Sequence, residues 1–341
     1  MIDELLLDIH RLKITFFTSH GEVKAVNDIS FQLKEGEVLG IVGESGCGKS
    51  VTAYSIMGLI TEPGKIVGGN IRFNGHQIEK MSEKQLQKIR GNEVSIIFQD
   101  HETSLNPVLT IGNQIMEALS IHKIVSRRER KAKALELLEL VGINEPRKRL
   151  NQYPHEYSGG MRQRAMIAMA LACEPKLLIA DEATSSLDVT IQAQILELLI
   201  DLKRKLGMSM IMITHDLGVA ATMCDKVAVM YAGKIVEYGT IEDIFNHGRH
   251  QYTVGLLKST PTMNEQDASL IPIEGTPIDL LHIPKGCPFA PRCDFAMRIC
   301  MEQSPEYTQM SPTHRSMCHL LHPDAPSVPE INGNMNKEGQ A

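Results

Sequence analysis

Gly43-Glu44-Ser45-Gly46-Cys47-Gly48-Lys49-Ser50 fits the pattern G-x-x-x-x-G-K-S. Val38 to Val42, just before it, is a short apolar run that reads as a buried strand, and Ser50 to Leu59 after it has helical character. Strand, glycine loop and helix in that order are the setting in which this pattern holds phosphate. The glycines let backbone N–H groups curl round phosphate oxygens, and the helix N-terminus adds partial positive charge. Lys49 would neutralise the β- and γ-phosphates, and the Ser50 hydroxyl would ligate Mg²⁺. A plain glycine turn before a helix needs neither the strand nor the Lys-Ser ending, so the stretch reads as a nucleotide site.

The rest of the first 255 residues alternates in type. Val94–Phe98, Leu177–Ala180 and Met208–Ile213 are further buried-strand runs, and Arg127–Val141 carries Glu, Lys, Ala and Leu at helical spacing. Val227–Tyr231 and Lys234–Glu237 flank Ala232-Gly233, a hairpin signal. Strands alternating with helices imply an α/β domain with a mostly parallel core sheet. Eleven of the 16 Pro and four of the seven Cys lie in the last 82 residues. That shift predicts a boundary near Thr260-Pro261. It gives a first domain over 1–259, an extension over 260–322 and a polar tail over 323–341.

Composition excludes several classes. With 35 Lys and Arg against 41 Asp and Glu, the net charge is −6, which argues against a nucleic-acid coat. The longest apolar run, Ala165–Cys173, falls far short of the ~20 residues that span a bilayer. The acidic start Met1-Ile2-Asp3-Glu4 lacks the basic region of a secretory signal. The expected compartment is a reducing cytoplasm, where disulfides are rare.

Two further stretches carry chemistry. Leu177–Ala180 ends in Asp181-Glu182. A carboxylate at a strand end beside a phosphate loop can hold Mg²⁺, the place of Asp181, and the next one, Glu182, can polarise an attacking water. Tyr157-Ser158-Gly159-Gly160-Met161-Arg162-Gln163 precedes a helix-like run, and Ser-Gly-Gly at a helix start is again a phosphate-binding shape. Alone, it could be an N-cap with turn glycines.

With these motifs in order, the chain resembles the ABC-type ATPases over about residues 5 to 255. Tyr157–Gln163 is similar to their signature, which usually begins Leu-Ser-Gly-Gly-Gln; this chain has Tyr157 and Met161 instead but keeps Ser-Gly-Gly. Gln99 looks like the Q-loop glutamine, Ser185-Ser186-Leu187-Asp188 like the D-loop with Ser186 where Ala is usual, and His215 like the switch histidine. Phe16 stands where the family stacks an aromatic on adenine, with Phe17 a near rival. The resemblance implies a RecA-like core, an antiparallel β subdomain and a helical subdomain over about 101–165 that grips a permease. It implies ATP and Mg²⁺ held by Phe16, Gly43, Ser45, Gly46, Cys47, Gly48, Lys49, Ser50, Val51, Gln99, Asp181, Glu182 and His215, with Ser50, Gln99 and Asp181 around the metal. Glu182, His215 and Gln99 are the implied catalytic set. Ser158, Gly159 and Gly160 would serve the ATP of a second ATPase, a related but different chain, in a head-to-tail pair.

Gln99-Asp100-His101-Glu102-Thr103-Ser104-Leu105-Asn106-Pro107 resembles the same stretch in peptide-importer ATPases, with His101 where Pro is usual. Cys287, Cys293, Cys300 and Cys318 have the spacing C-x5-C-x6-C-x17-C. Four cytoplasmic thiols so close suggest a metal site, and Cys₄ suits iron–sulfur or zinc, though the paired C-x2-C of common zinc sites is absent. These cysteines resemble the extension of oligopeptide and dipeptide importer ATPases, some of which carry a [4Fe–4S] cluster there. Zinc and an unligated cluster of thiols stay open. Cys47, Cys173 and Cys224 read as buried packers.

The expected function is an ATP-hydrolysing subunit of a di- or oligopeptide importer. It would be peripheral on the cytoplasmic side of the membrane, docked on two permease subunits and fed by a peptide-binding protein outside. A nickel-importer ATPase is the alternative within the class. A soluble ABC ATPase unlinked to transport is the alternative outside it; the chain between Gln99 and Ser158 is too short for the coiled coils of chromosome types. A module that grips ATP without hydrolysis would need neither Glu182 nor His215.

Overall fold

The computed structural model describes residues 5–100, 104–185, 187–260 and 272–328. Its centre is an eight-stranded sheet that runs, edge to edge, Thr308–Gln309, Arg315–Ser316, Lys234–Thr240, Lys226–Tyr231, Val38–Val42, Ser209–Thr214, Leu177–Asp181 and Val94–Ile97. Four of its strands, β3 (Val38–Val42), β6 (Val94–Ile97), β7 (Leu177–Asp181) and β8 (Ser209–Thr214), run parallel side by side, and β9 (Lys226–Tyr231) joins them parallel to β3. Every residue of β3, β7 and β8 is buried. That follows from their sequences: strands covered on both faces read as unbroken apolar runs. Side chains still alternate between faces. Met210 and Met212 of β8 join the core beneath the helices, while Ile211 and Ile213 join the core beneath the second sheet.

That second sheet is antiparallel, in the order β2-β1-β4-β5, from β1 (Leu5–Thr18), β2 (Gly21–Lys34), β4 (Gly64–Phe73) and β5 (His76–Gln77). Between β9 and β10 (Lys234–Thr240), Ala232 and Gly233 both take positive φ, 49° and 77°. Such a two-residue turn matches the strands' own twist, so the hairpin read from the sequence closes there.

The helical subdomain expected over about 101–165 contains Ile111–Ile121, Arg130–Leu140, Pro146–Arg149 and the start of Gly159–Ala170; His101, Glu102 and Thr103 lie outside the described residues. The residues on either side of the predicted 260 boundary meet in the sheet: β12 (Arg315–Ser316) pairs antiparallel with β10 and carries β11 (Thr308–Gln309) on its far side. Beneath this junction Glu237, fully buried, accepts the N–H groups of Arg249 (2.7 Å) and His250 (2.9 Å) and faces Nε2 of His314 at 2.8 Å. A buried carboxylate is tolerated when its oxygens are partnered this fully. Of the segment read as a tail, Val328 is buried beside Leu320, and residues 329–341 lie outside the described ones.

Candidate functional site

The phosphate loop leaves the C-terminal end of β3 and enters the helix Lys49–Ile56. Its glycines are demanded by space. A Cβ on Gly43 would lie 2.1 Å from the Met230 carbonyl oxygen, and one on Gly48, at φ 107°, would lie 2.3 Å from that of Ala25. Lys49 is almost wholly buried, and its Nζ donates to the carbonyls of Gly43 (2.7 Å) and Glu44 (3.0 Å). Ser45 and Gly46 form the exposed rim, and Val51 is half-buried in the helix behind. Cys47 accepts the Gly233 N–H through its carbonyl at 2.9 Å, while burial pushes its thiol up to about 11. A buried neutral thiol is a poor nucleophile, so Cys47 contributes backbone rather than sulfur.

Opposite the loop, β7 delivers two carboxylates. Asp181 accepts the Ser50 hydroxyl at 3.0 Å through Oδ1, while its buried Oδ2 has no partner. Burial raises the Asp181 pKa, against the opposing hydrogen bond of Ser50. A hydroxyl beside an orphaned carboxylate oxygen is a hard-oxygen pair that fits Mg²⁺. Glu182 takes a left-handed backbone, φ 46°, with its N–H on the Ile213 carbonyl at 3.0 Å. Strain of this kind collects at functional sites. Its Oε2 accepts the Gln99 amide at 2.9 Å and lies 3.6 Å from Nδ1 of His215; its Oε1 lies 3.8 Å from Lys49 Nζ. Gln99 and His215, each just past a strand end, and Lys49 at the helix start thus meet on one carboxylate.

Ser158, Gly159 and Gly160 stand on a separate helix end. Ser158 caps Gly159–Ala170 by accepting the Met161 N–H at 3.4 Å, and its side chain is otherwise exposed. Tyr157 is buried and its hydroxyl donates to the Arg149 carbonyl at 3.0 Å, so the departure from Leu is absorbed by the helical core. Asp188 caps the helix Val189–Leu206, and Ser186 lies outside the described residues. Phe16 packs into the apolar cluster that includes Cys47 and Ala53, whereas Phe17 is exposed.

The four C-terminal cysteines line one enclosed cavity with Phe289, Phe295 and Leu320. Among the described residues no group of three or more His, Cys, Asp or Glu is set to hold a metal. The cavity of about 20 Å³ is nearer the room of one water than of an iron–sulfur cluster. Burial pushes the Cys293 and Cys318 thiols up to about 11 and about 12. All seven cysteines are free of disulfides.

Sequence reasoning missed Glu44 and its partner Arg292, which meet through two hydrogen bonds of 2.6 and 3.0 Å. They are 248 positions apart, so no local pattern could have joined them.

Comparison with known proteins follows the same lines. A family model described as "ABC transporter" matches residues 26–185, and one described as "Oligopeptide/dipeptide transporter, C-terminal region" matches residues 236–300. The oligopeptide transport ATP-binding protein OppD of Bacillus subtilis (strain 168) is 55% identical over 325 residues, 95% of this chain and 91% of that protein. The dipeptide transport ATP-binding protein DppD of Lactococcus lactis subsp. cremoris (strain MG1363) is 50% identical over 329 residues, 96% and 94%. Among solved structures, the dimeric ATP-binding cassette MJ0796 bound to ADP and Pi superposes with a TM-score of 0.62 at 27% identity, over 69% of this chain and 99% of that one.

Proposed function

The chain belongs to the ABC transporter ATPases and carries the C-terminal region of their oligopeptide/dipeptide group, and from this we propose that it is the ATP-hydrolysing subunit that powers import of di- and oligopeptides across the cytoplasmic membrane. The observation that carries the ATPase half is the meeting of Gln99, His215 and Lys49 on Glu182, beside the Ser50–Asp181 pair. The C-terminal region carries the cargo half, and nothing comparable favours nickel.

In this reading the loop amides of Gly43 to Gly48 and the Lys49 ammonium hold the triphosphate, and Phe16 carries the adenine. Ser50, Asp181 and Gln99 would hold Mg²⁺, which supplies charge neutralisation on the β- and γ-oxygens. Glu182 polarises the attacking water, and His215 contacts the γ-phosphate. Ser158, Gly159 and Gly160 close on the nucleotide of a second ATPase, a related but different chain. Among the described residues no helix is long and apolar enough to cross a membrane. We place the subunit peripherally on the cytoplasmic face, held by two permease subunits and served by an external peptide-binding protein, with no nucleic-acid partner. The division into 1–259, 260–322 and 323–341 is proposed with it. For Cys287, Cys293, Cys300 and Cys318 the support for a metal is their convergence on one cavity; side-chain rearrangement would have to open it. Iron and zinc content of protein purified without oxygen decides between cluster, zinc and free thiols.

The test is uptake of labelled di-, tri- and pentapeptides and of nickel in a host lacking this chain. Loss of peptide uptake with nickel unchanged supports the proposal; loss of nickel uptake alone overturns it.

A further inference from the structure

Glu44 is one of the unspecified positions of the phosphate-loop pattern, yet each of its polar groups is held. Its N–H donates to the Tyr252 hydroxyl at 2.8 Å, and its carbonyl accepts Lys49 Nζ at 3.0 Å. Its carboxylate receives both Nη atoms of Arg292, at 2.6 and 3.0 Å. Arg292 comes from the C-terminal extension, in the turn Ala290–Arg292 next to Cys293. Its side chain is 5% exposed. Nε donates to the Glu274 carbonyl at 2.8 Å, and the guanidinium lies 6.0 Å from the Tyr231 ring centre and 5.9 Å from that of Phe289. Tyr231, Tyr252 and Phe289 pack on one another, with ring centres 4.6 to 5.4 Å apart. The extension therefore grips the loop at one residue, through a two-pronged ion pair and an aromatic base.

We infer that Arg292 is a positioning residue for ATP binding, through which the C-terminal extension holds the phosphate loop open and charge-balanced. The inference rests on the loop's role as the ATP site. Two physical effects act together. A forked guanidinium–carboxylate pair fixes direction as well as distance, so the Glu44 backbone, and with it the carbonyl that aligns Lys49, is set before nucleotide arrives. The Glu44 carboxylate also stands in the loop that must accept a polyanion, and Arg292 cancels its charge. Without Arg292 an unpaired, partly buried carboxylate would oppose the incoming phosphates.

The charge effect sets the test apart from simple loss of packing. In the full chain assembled with its permeases, Arg292→Gln is expected to raise the KM for MgATP about fivefold or more while kcat stays within about twofold. Arg292→Lys, a point charge without the fork, falls between. Adding Glu44→Gln to Arg292→Gln removes the stranded carboxylate, and the KM then falls back part of the way. An unchanged KM in Arg292→Gln overturns the inference, as does a double variant no better than the single one. Should Arg292→Gln fail to fold, Arg292→Lys carries the same comparison and must itself raise the KM; an unchanged value again overturns it. Equilibrium binding of a fluorescent ATP analogue to the full chain carries the same comparison. Absence of turnover in the wild-type assembly would thus count against the ATPase reading, while the analogue affinities still judge Arg292.

Discussion

The Gln99 amide donates to one oxygen of Glu182 at 2.9 Å while Lys49 Nζ stands 3.8 Å from the other. The carboxylate is thus oriented from the segment that leads into the helical region and from the phosphate loop at once. Glu182→Gln keeps the size and one oxygen but removes the charge that polarises water. Turnover should fall by about 10²- to 10⁴-fold while ATP binding persists. Single-turnover hydrolysis beside nucleotide affinity checks it; turnover unchanged from wild type would remove Glu182 from the catalytic set.

Asp181 offers a second separation of binding from chemistry. Asp181→Asn can still accept the Ser50 hydroxyl but loses the charge of the orphaned oxygen. The Mg²⁺ concentration for half-maximal turnover should rise about tenfold, roughly 1.4 kcal/mol. A Mg²⁺ titration at saturating ATP reads it, and an unshifted midpoint would place the metal elsewhere.

Gly48 tests the loop by space alone. Its φ of 107° and the 2.3 Å approach of a Cβ to the Ala25 carbonyl leave alanine no strain-free position. Gly48→Ala should lose nucleotide affinity and lower the midpoint of thermal unfolding, by about 4 °C for each kcal/mol at most in a chain of this size. Gly46, equally left-handed at φ 77° but with open space around it, should tolerate Ala better. Calorimetry with and without MgATP separates the two.

What the sequence disclosed follows from how each element is held. Strands β3, β7 and β8 are covered on both faces, so burial alone wrote them as apolar runs. The site was legible because its residues sit at strand ends in fixed order. The hairpin β1–β2 is harder to read: register shifts between Ile9 and Leu12 and again before Phe16 break the two-residue alternation. The two-residue strands β11 and β12 carry too little pattern to show. Arg292 found Glu44 only through tertiary packing. The cysteines' convergence was legible in their spacing, whereas the cavity they enclose was not.

His250 gives a pH dependence that spacing could not foretell. The ring is buried, packs against Phe289, and its Nδ1 accepts the Tyr252 N–H at 3.1 Å as the cap of Gln251–Lys258. Accepting there keeps the proton on Nε2, so a second proton would have to displace the cap. Burial lowers the pKa to about 4 from 6.5, against the opposing pull of the Glu237 carboxylate. The unfolded chain therefore binds this proton first. Stability from the neutral ring is fully present above pH 6.5, declines as pH falls toward 4, and levels off below. About 3 kcal/mol is at stake for a shift of that size. His250→Asn keeps a capping oxygen but cannot titrate. Between pH 6.5 and 5 the wild type should lose thermal stability more steeply than His250→Asn, and parallel curves would show that His250 does not govern that limb.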